Sequence, residues 1–188
     1  MKFFILAMFW VTSSCFGESL FNGKDLSKFQ EPKNNIWWKA DAGVIQCKSG
    51  PKKKGSTLWS KVKYENFVVE LDFKMISGTV DSGLFIRNND QIQIGISGSL
   101  KRDMTTSPYI PGKGYPKESN GVKGNLKEKG WNTLKVKAIG PIYSVWLNGV
   151  KVNEYESSTA TDKGSVGLQL HANKEMEIHF KNIEINKV

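Results

Sequence analysis

Hydrophobic and polar residues alternate along this chain in short runs, and Gly, Asn, Asp and Pro separate the runs. Phe67, Val69, Leu71 and Phe73 share one face of their segment, with Glu70 and Asp72 on the other. Gln91-Ile92-Gln93-Ile94-Gly95-Ile96 sends isoleucines one way and glutamines the other. Leu134, Val136 and Ala138 alternate with Lys135 and Lys137, and Val166, Leu168 and Leu170 with Gly167, Gln169 and His171. Met176, Ile178 and Phe180 oppose Glu177, His179 and Lys181; the phase then slips so that Ile183 and Ile185 turn inward. A period of two marks half-buried strands, and nothing from Glu18 to Val188 sustains the helical period. The slip predicts a β-bulge at Lys181 or Asn182. Tyr143–Leu147 runs into Asn148-Gly149 and resumes at Val150, the pattern of a type I′ hairpin. About ten such strands predict an all-β fold, a single antiparallel β-sandwich. No internal repeat, low-complexity tract or linker divides residues 18–188, so the pattern predicts one domain.

The start of the chain follows another rule. Lys2 precedes an apolar run from Phe3 to Val11, then Thr12-Ser13-Ser14, with small residues at Cys15 and Gly17. This is the layout of a secretory signal peptide, predicted over 1–17 with cleavage before Glu18. The run is too short to span a bilayer, which takes about 20 residues. The predicted destination is periplasmic or extracellular. The alternative is lipid attachment at Cys15 to a bacterial membrane, although Thr12 is a poor residue three positions before it. Cleavage lowers the formal net charge from +9 to +8 and leaves Cys47 as the only cysteine. No intrachain disulfide can then form, and alternation predicts a buried, inert thiol.

From Ser97 to Gly130 alternation almost vanishes, and this stretch holds three of the six prolines. Structureless connections longer than about 15 residues are usually functional or disordered. Here Tyr109 and Tyr115 flank Pro111-Gly112-Lys113-Gly114. Prolines stiffen the backbone, and tyrosines offer flat amphipathic faces that stack on sugar rings. The expectation is an ordered, site-forming loop.

Outward strand positions supply the candidate chemistry. Lys and Glu are ordinary on a solvated strand face. Phe85 with Arg87, Gln91 with Gln93, and Gln169 with His171 are not. Arg87 offers a planar fork for a carbonyl or carboxylate, and glutamines donate to and accept from sugar hydroxyls. Histidine titrates near neutral pH and moves protons. The competing reading of His171 is an ordinary hydrogen-bonded surface histidine. For His179, beside Glu177 and Lys181, a solvated role is favoured. Lys101-Arg102-Asp103 follows the glutamine strand, which makes Asp103 the first carboxylate candidate and Glu70 the second. No outward pattern supplies the two acids of an ordinary glycosidase.

The charge is mostly scattered lysine, with only two arginines. Nucleic-acid binding calls for basic residues clustered on one face, so none is expected; polyanionic glycans or simple solubility account better for the excess. Gly95-Ile96-Ser97-Gly98 lacks the spacing of a phosphate loop. Two His and two Cys exclude a disulfide scaffold or a multi-His metal cage.

The ordered motifs resemble one family, the 3-keto-disaccharide hydrolase domain. They run from Leu20-Phe21-Asn22-Gly23-Lys24-Asp25-Leu26 through Asp81-Ser82-Gly83-Leu84-Phe85-Ile86-Arg87 and Gln91-Ile92-Gln93-Ile94. Gly130-Trp131-Asn132, Trp146-Leu147-Asn148-Gly149, Gly167-Leu168-Gln169-Leu170-His171 and Phe180-Lys181-Asn182-Ile183 complete the set. The resemblance implies a concanavalin A-like jelly roll, export, and cleavage of glycosides already oxidised at the third ring carbon. Such a ketone acidifies the C2 hydrogen, so a base can remove it, the C1 substituent departs, and water adds back. The chemistry needs a ketone-polarising cation and a proton shuttle, not a carboxylate pair; Arg87 or Lys101 would be the first and His171 the second.

The chain departs from the family pattern at several positions. Gln91 stands where many members have Glu, Gly95 where an acid is frequent, Asp81 for Asn, Ala172 for Gly and Lys181 for Arg. No cofactor is implied with certainty, and a divalent metal, though open in principle, gains no support from this sequence. The predicted site comprises Arg87, Lys101, Asp103 and His171 as catalytic groups. Glu70, Gln91, Gln93, Arg102, Tyr109, Tyr115 and Gln169 would bind a sugar or keto-sugar glycoside. The competing reading is a non-catalytic carbohydrate-binding module or lectin using the same face; a third is a structural surface protein without a small ligand.

Overall fold

The computed structural model describes residues 17–188. The predicted signal peptide, with its apolar run and Cys15, lies outside the described residues apart from Gly17. The strands, in chain order, are β1 (Glu18–Ser19), β2 (Phe29–Gln30), β3 (Trp38–Asp41), β4 (Val44–Lys48), β5 (Ser56–Tyr64), β6 (Phe67–Gly78) and β7 (Asp81–Ile86). They continue as β8 (Asp90–Gly95), β9 (Pro108–Tyr109), β10 (Asn132–Ile139), β11 (Ile142–Leu147), β12 (Val150–Glu156), β13 (Gly164–Leu170) and β14 (Met176–Lys187). One helical turn, α1 (Val122–Asn125), interrupts them.

Two antiparallel sheets face each other. The larger has the order β12-β11-β10-β6-β14-β4-β3, with β1 on β14; the smaller runs β2-β5-β13-β7-β8-β9. This is the predicted all-β sandwich, a jelly roll. It has more strands than periodicity indicates, because β1, β2 and β9 are two residues long and carry no readable period.

The inward rows are the predicted ones. Phe67, Val69, Leu71 and Phe73 of β6 meet Leu84, Ile86, Ile92, Ile94, Leu168 and Leu170 of the smaller sheet, all buried. Each such side chain contributes about 1.5–3 kcal/mol through removal from water. Cys47 belongs to this core, and its burial pushes the thiol well above its ordinary range.

The local irregularities also match. Asn148 and Gly149 both take positive φ, 49° and 86°, as a type I′ turn demands. The β14–β6 register shifts between Lys181 and Glu184, with Asn182 at φ 49°. His179 departs from its expected solvated role. It is half-buried on the outer face of the larger sheet, where its Nε2 lies 2.9 Å from Glu177 Oε1, and Lys48 pairs with the same carboxylate at 3.1 Å.

Part of the 97–130 segment packs into the sandwich. Thr105, Thr106, Ser107 and Ile110 are buried, and the Gly95 N–H donates to Thr105 Oγ1 at 2.9 Å. β9 extends the smaller sheet beside β8, and further on Asn153 of β12 donates to Ser119 Oγ at 2.9 Å. The segment therefore runs from the edge of one sheet to the other, and only its first half covers the face of β7, β8 and β13.

Candidate functional site

The outer face of the smaller sheet is built in registered rows. Gln169 faces Gly83, which faces Gln93; one row away, Trp59 faces Gly167, then Phe85, Gln91 and Tyr109. The two glycines are the low points. A β-carbon at Gly83 would collide with the Gln91 amide, and one at Gly167 would lie 2.5 Å from the Trp59 ring. Trp59 packs on Phe85 with ring centroids 5.1 Å apart. Bare backbone at 83 and 167 thus lets long side chains from neighbouring strands lie flat across the sheet.

These side chains form a directed relay. Gln91 Nε2 donates to Gln169 Oε1 at 2.8 Å, Gln93 Oε1 at 3.3 Å and the Ser82 carbonyl at 3.2 Å. Gln93 Nε2 in turn donates to Asp81 Oδ1 at 2.9 Å. The amide directions are set by groups that can only accept, a backbone carbonyl at one end and a carboxylate at the other. Gln91 and Gln93, expected to bind sugar hydroxyls directly, are buried; Gln91 spends its donors on Gln169, Gln93 and the Ser82 carbonyl, and Gln93 donates to Asp81. Their alternation is legible in sequence; their mutual satisfaction is not.

At the end of the relay stand Asp81 and His171. Asp81 opens β7 and is 2% exposed; its Oδ2 is buried and has no hydrogen-bond partner. His171 follows β13, tied by its own N–H to the Asp81 carbonyl at 3.2 Å. Its ring Nδ1 lies 2.8 Å from the Ala172 carbonyl and 3.7 Å from Asp81 Oδ2. A carbonyl only accepts, so Nδ1 carries the proton, and in the neutral ring Nε2 holds the lone pair. Gly98 closes over this pair: a β-carbon there would sit 2.9 Å from Asp81 Oδ2, 3.7 Å from Lys174 Cε and 3.8 Å from His171 Cε1. The stem of Lys174 therefore approaches the same corner. Alternation did not single out Asp81 or Lys174, because each sits at a strand end or in a turn. The replacement of the family's Asn by Asp was the available signal for Asp81.

The loop supplies the opposite wall. Tyr109 and Tyr115 meet edge to face, with centroids 5.2 Å apart, and with Pro111, Ser97 and Ser99 they close a cavity of about 290 Å³ over the relay. Burial pushes the Tyr115 phenol above its ordinary range, and the Asp81 carboxylate adds to the shift. Tyr115 therefore stays a neutral O–H at neutral pH. Asn89 and Phe85 complete the rim.

Five predicted residues lie elsewhere. Arg87 does not face the cavity. β7 ends at Ile86, and Arg87 and Asn88 take φ of 52° and 67°, so the strand period no longer governs where the side chain goes. The guanidinium is 1% exposed and donates to the carbonyls of Glu65 (2.6 Å), Gly140 (2.8 Å), Thr161 (3.0 Å) and Ala138 (3.2 Å). It is a clamp on the fold, joining the β7–β8 turn to the larger sheet.

Arg102 pairs bidentately with exposed Glu118, which raises the guanidinium above its ordinary range and lowers the carboxyl. Asp103 folds back onto Thr105, accepting from its N–H at 2.9 Å and its hydroxyl at 2.6 Å. Both line a separate groove with Val122 and Leu126. Lys101 is exposed on the turn beyond Ser99, outside the cavity lining. Glu70 is on the larger sheet, beside Lys135 at 3.8 Å. A one-dimensional alternation cannot say which of two sheets a strand joins, and that ambiguity accounts for Glu70. Among the described residues no three His, Cys, Asp or Glu side chains are grouped to hold a metal ion, and no helix is long and apolar enough to cross a membrane.

Comparison with solved structures agrees with this architecture. A candidate glycosyl hydrolase from Parabacteroides distasonis superposes with a TM-score of 0.72 at 18% identity, over 95% of this chain and 98% of that one. A second from the same organism gives 0.65 at 25% identity, over 91% and 98%. The carbohydrate binding module CBM66 from Bacillus subtilis gives 0.55 at 15% identity, over 81% and 92%. No curated protein matches the sequence. The family model of the 3-keto-alpha-glucoside-1,2-lyase-like domain matches residues 17–186, and with this match across nearly the whole β-sandwich the chain belongs to that family.

Proposed function

We propose that this protein is an exported enzyme that cleaves 3-keto-glycosides by elimination followed by hydration. One observation carries the reading: a histidine with a free Nε2 lies against a roofed cavity whose opposite wall is a tyrosine pair. In the first step a base takes the C2 proton, which the adjacent ketone has acidified. The C–H electron pair becomes the C1=C2 bond, the C1–O bond breaks, and the alcohol leaves with a proton. Water then adds across the double bond, its oxygen to C1 and a proton to C2, so the net change is hydrolysis. His171 Nε2 takes the C2 proton and passes it to the departing oxygen, then takes a proton from the attacking water and returns it to C2. Lys174 takes over from Arg87 as the cation for the developing enolate oxygen, since its stem reaches the corner occupied by His171. The tyrosines hold the ring by stacking and exclude water from the elimination step.

The test is turnover of a 3-keto-glucoside by the purified protein and by H171A. The expected result is loss of at least about 100-fold in turnover in the variant, the range of a general base, with affinity for the substrate retained. Absence of wild-type turnover, with or without added divalent metal, would overturn the enzyme reading.

The second reading is a carbohydrate-binding module on the same face. It is favoured by the self-satisfied glutamine relay, which forms a rigid floor rather than a reactive one, and by the likeness to CBM66. Retention on a sugar affinity matrix without turnover would select it.

A further inference from the structure

Asp81 presents a problem of electrostatics. Burying a carboxylate without satisfying both oxygens is costly, more so than for a neutral polar group. Oδ1 is satisfied by Gln93 Nε2, while Oδ2 has no partner. Around Oδ2 the fold places Gly98, whose missing β-carbon leaves the approach open, and the imidazole of His171 at 3.7 Å. That separation is too long for a hydrogen bond, yet catalytic contacts are often long without ligand and tighten when substrate packs against them. The proton on Nδ1 lies between two acceptors, the Ala172 carbonyl at 2.8 Å and Asp81 Oδ2.

We propose that Asp81 is the positioning residue of His171. Anchored through Gln93, it faces Nδ1 as a second acceptor beside the Ala172 carbonyl and keeps the ring set with Nε2 toward the substrate. The relay gains a purpose on this view. Gln169, Gln91 and Gln93 brace one oxygen of Asp81 so that the other meets the histidine. Asp81 lies at the start of β7 as the register partner of Gly95 on β8. The proposal rests on the enzyme reading above, and its test separates the two.

Two variants make opposite demands on the ring. In D81N, Gln93 Nε2 still needs an acceptor and takes the new carbonyl, so the new amide NH₂ faces Nδ1. Donor then meets donor, and the ring is driven toward the Nε2–H tautomer, which is useless as a base. In D81A no donor is introduced, and the Ala172 carbonyl still holds Nδ1–H. The expected order of kcat is therefore wild type, then D81A, then D81N, with D81N down at least about 100-fold, as for loss of a correct base. KM should stay within a few-fold, because Asp81 acts through His171. D81N should keep the thermal stability of the wild type, whereas D81A should lose some, since it leaves the buried Gln93 Nε2 without an acceptor.

The independent readout is the ¹⁵N shift pattern of His171, which needs no substrate. It should report Nδ1–H in wild type and D81A, and a shift toward Nε2–H in D81N. An unchanged pattern in folded D81N overturns the proposal, as does a kcat order in which Ala is worse than Asn, the order that simple shape complementarity predicts. Should D81N fail to fold, a kcat in D81A equal to wild type overturns it. A tautomer shift in D81N with no turnover by any form would overturn the enzyme reading while leaving the pairing of Asp81 with His171 intact.

Discussion

Gly83 and Gln91 occupy the same space: the side-chain amide of Gln91 lies where a β-carbon at position 83 would be. Gly83 is therefore part of the site although it contributes no functional group. G83A would lift Gln91 from the sheet and release Gln93 and Asp81 from the arrangement they share. The expected outcome is at least a tenfold loss of sugar affinity by calorimetry, with a destabilisation of about 1–3 kcal/mol in urea, as overpacking of a tight site gives.

Arg87 should behave as a structural residue. R87A would strip four carbonyls of their donor and empty the space of a buried side chain. The expected cost is at least about 3 kcal/mol, from the loss of charge-assisted bonds and the orphaned acceptors. R87K should rescue little, because a single ammonium cannot follow the planar fork. Urea unfolding measures both. A stable R87A with impaired turnover would return this residue to the site.

Tyr109 and Tyr115 differ in exposure and should differ in effect. Tyr109 is 36% exposed and Tyr115 is half-buried. Y109A should weaken sugar binding about tenfold, in keeping with the loss of one stacking face, while leaving the melting temperature within a degree or two. Y115A should weaken binding similarly and lower the melting temperature as well, since its ring is the more buried of the two. Calorimetric titration and thermal denaturation of the two variants separate these effects.

Alkaline pH should destabilise the fold. Burial raises the Cys47 thiol well above its ordinary value of 9.0, and burial also raises the phenols of Tyr64 and Tyr143 above theirs of 10.0; Glu18 and Asp90 add to these two phenol shifts. All three groups are neutral when protonated and hold their protons more tightly folded than unfolded. Their contribution is therefore complete below the unfolded values and declines as pH rises past 9 toward 10 and beyond. Urea midpoints measured from pH 7 to 11 should fall over that window. C47A should remove the earliest part of the fall, and a flat profile in the wild type would contradict the assignment.

Much of this molecule was legible before any coordinates. The glutamine strand, the Asn148-Gly149 turn, the bulge near Asn182 and the inward face of β6 all follow from short-range rules, because the side-chain period of a strand is two. The same rules placed Gln91, Gln93, Gln169 and His171 on one outer face, and the aromatic loop led to Tyr109 and Tyr115. Those six residues do line one cavity. The rules failed where the chain leaves strand geometry. Arg87 sits in a left-handed turn, Asp103 in a loop that bonds to itself, and Lys101 and Arg102 on an exposed turn outside the cavity lining.

Local sequence, then, determined the elements, their inward faces and the set of polar residues displayed outward, since each depends on neighbours a few positions apart. Tertiary structure alone decided which outward residues meet. Strand order brings β13 against β7 and β7 against β8, so that Gln169, Gln91, Gln93 and Asp81 form one chain of hydrogen bonds, and it sends Glu70 to the opposite sheet. It also decided that a carboxylate at the end of a strand, Asp81, rather than any acid in the loop, faces the histidine. Hydrogen bonds and buried charge act over a few ångströms of space, whatever the separation along the chain.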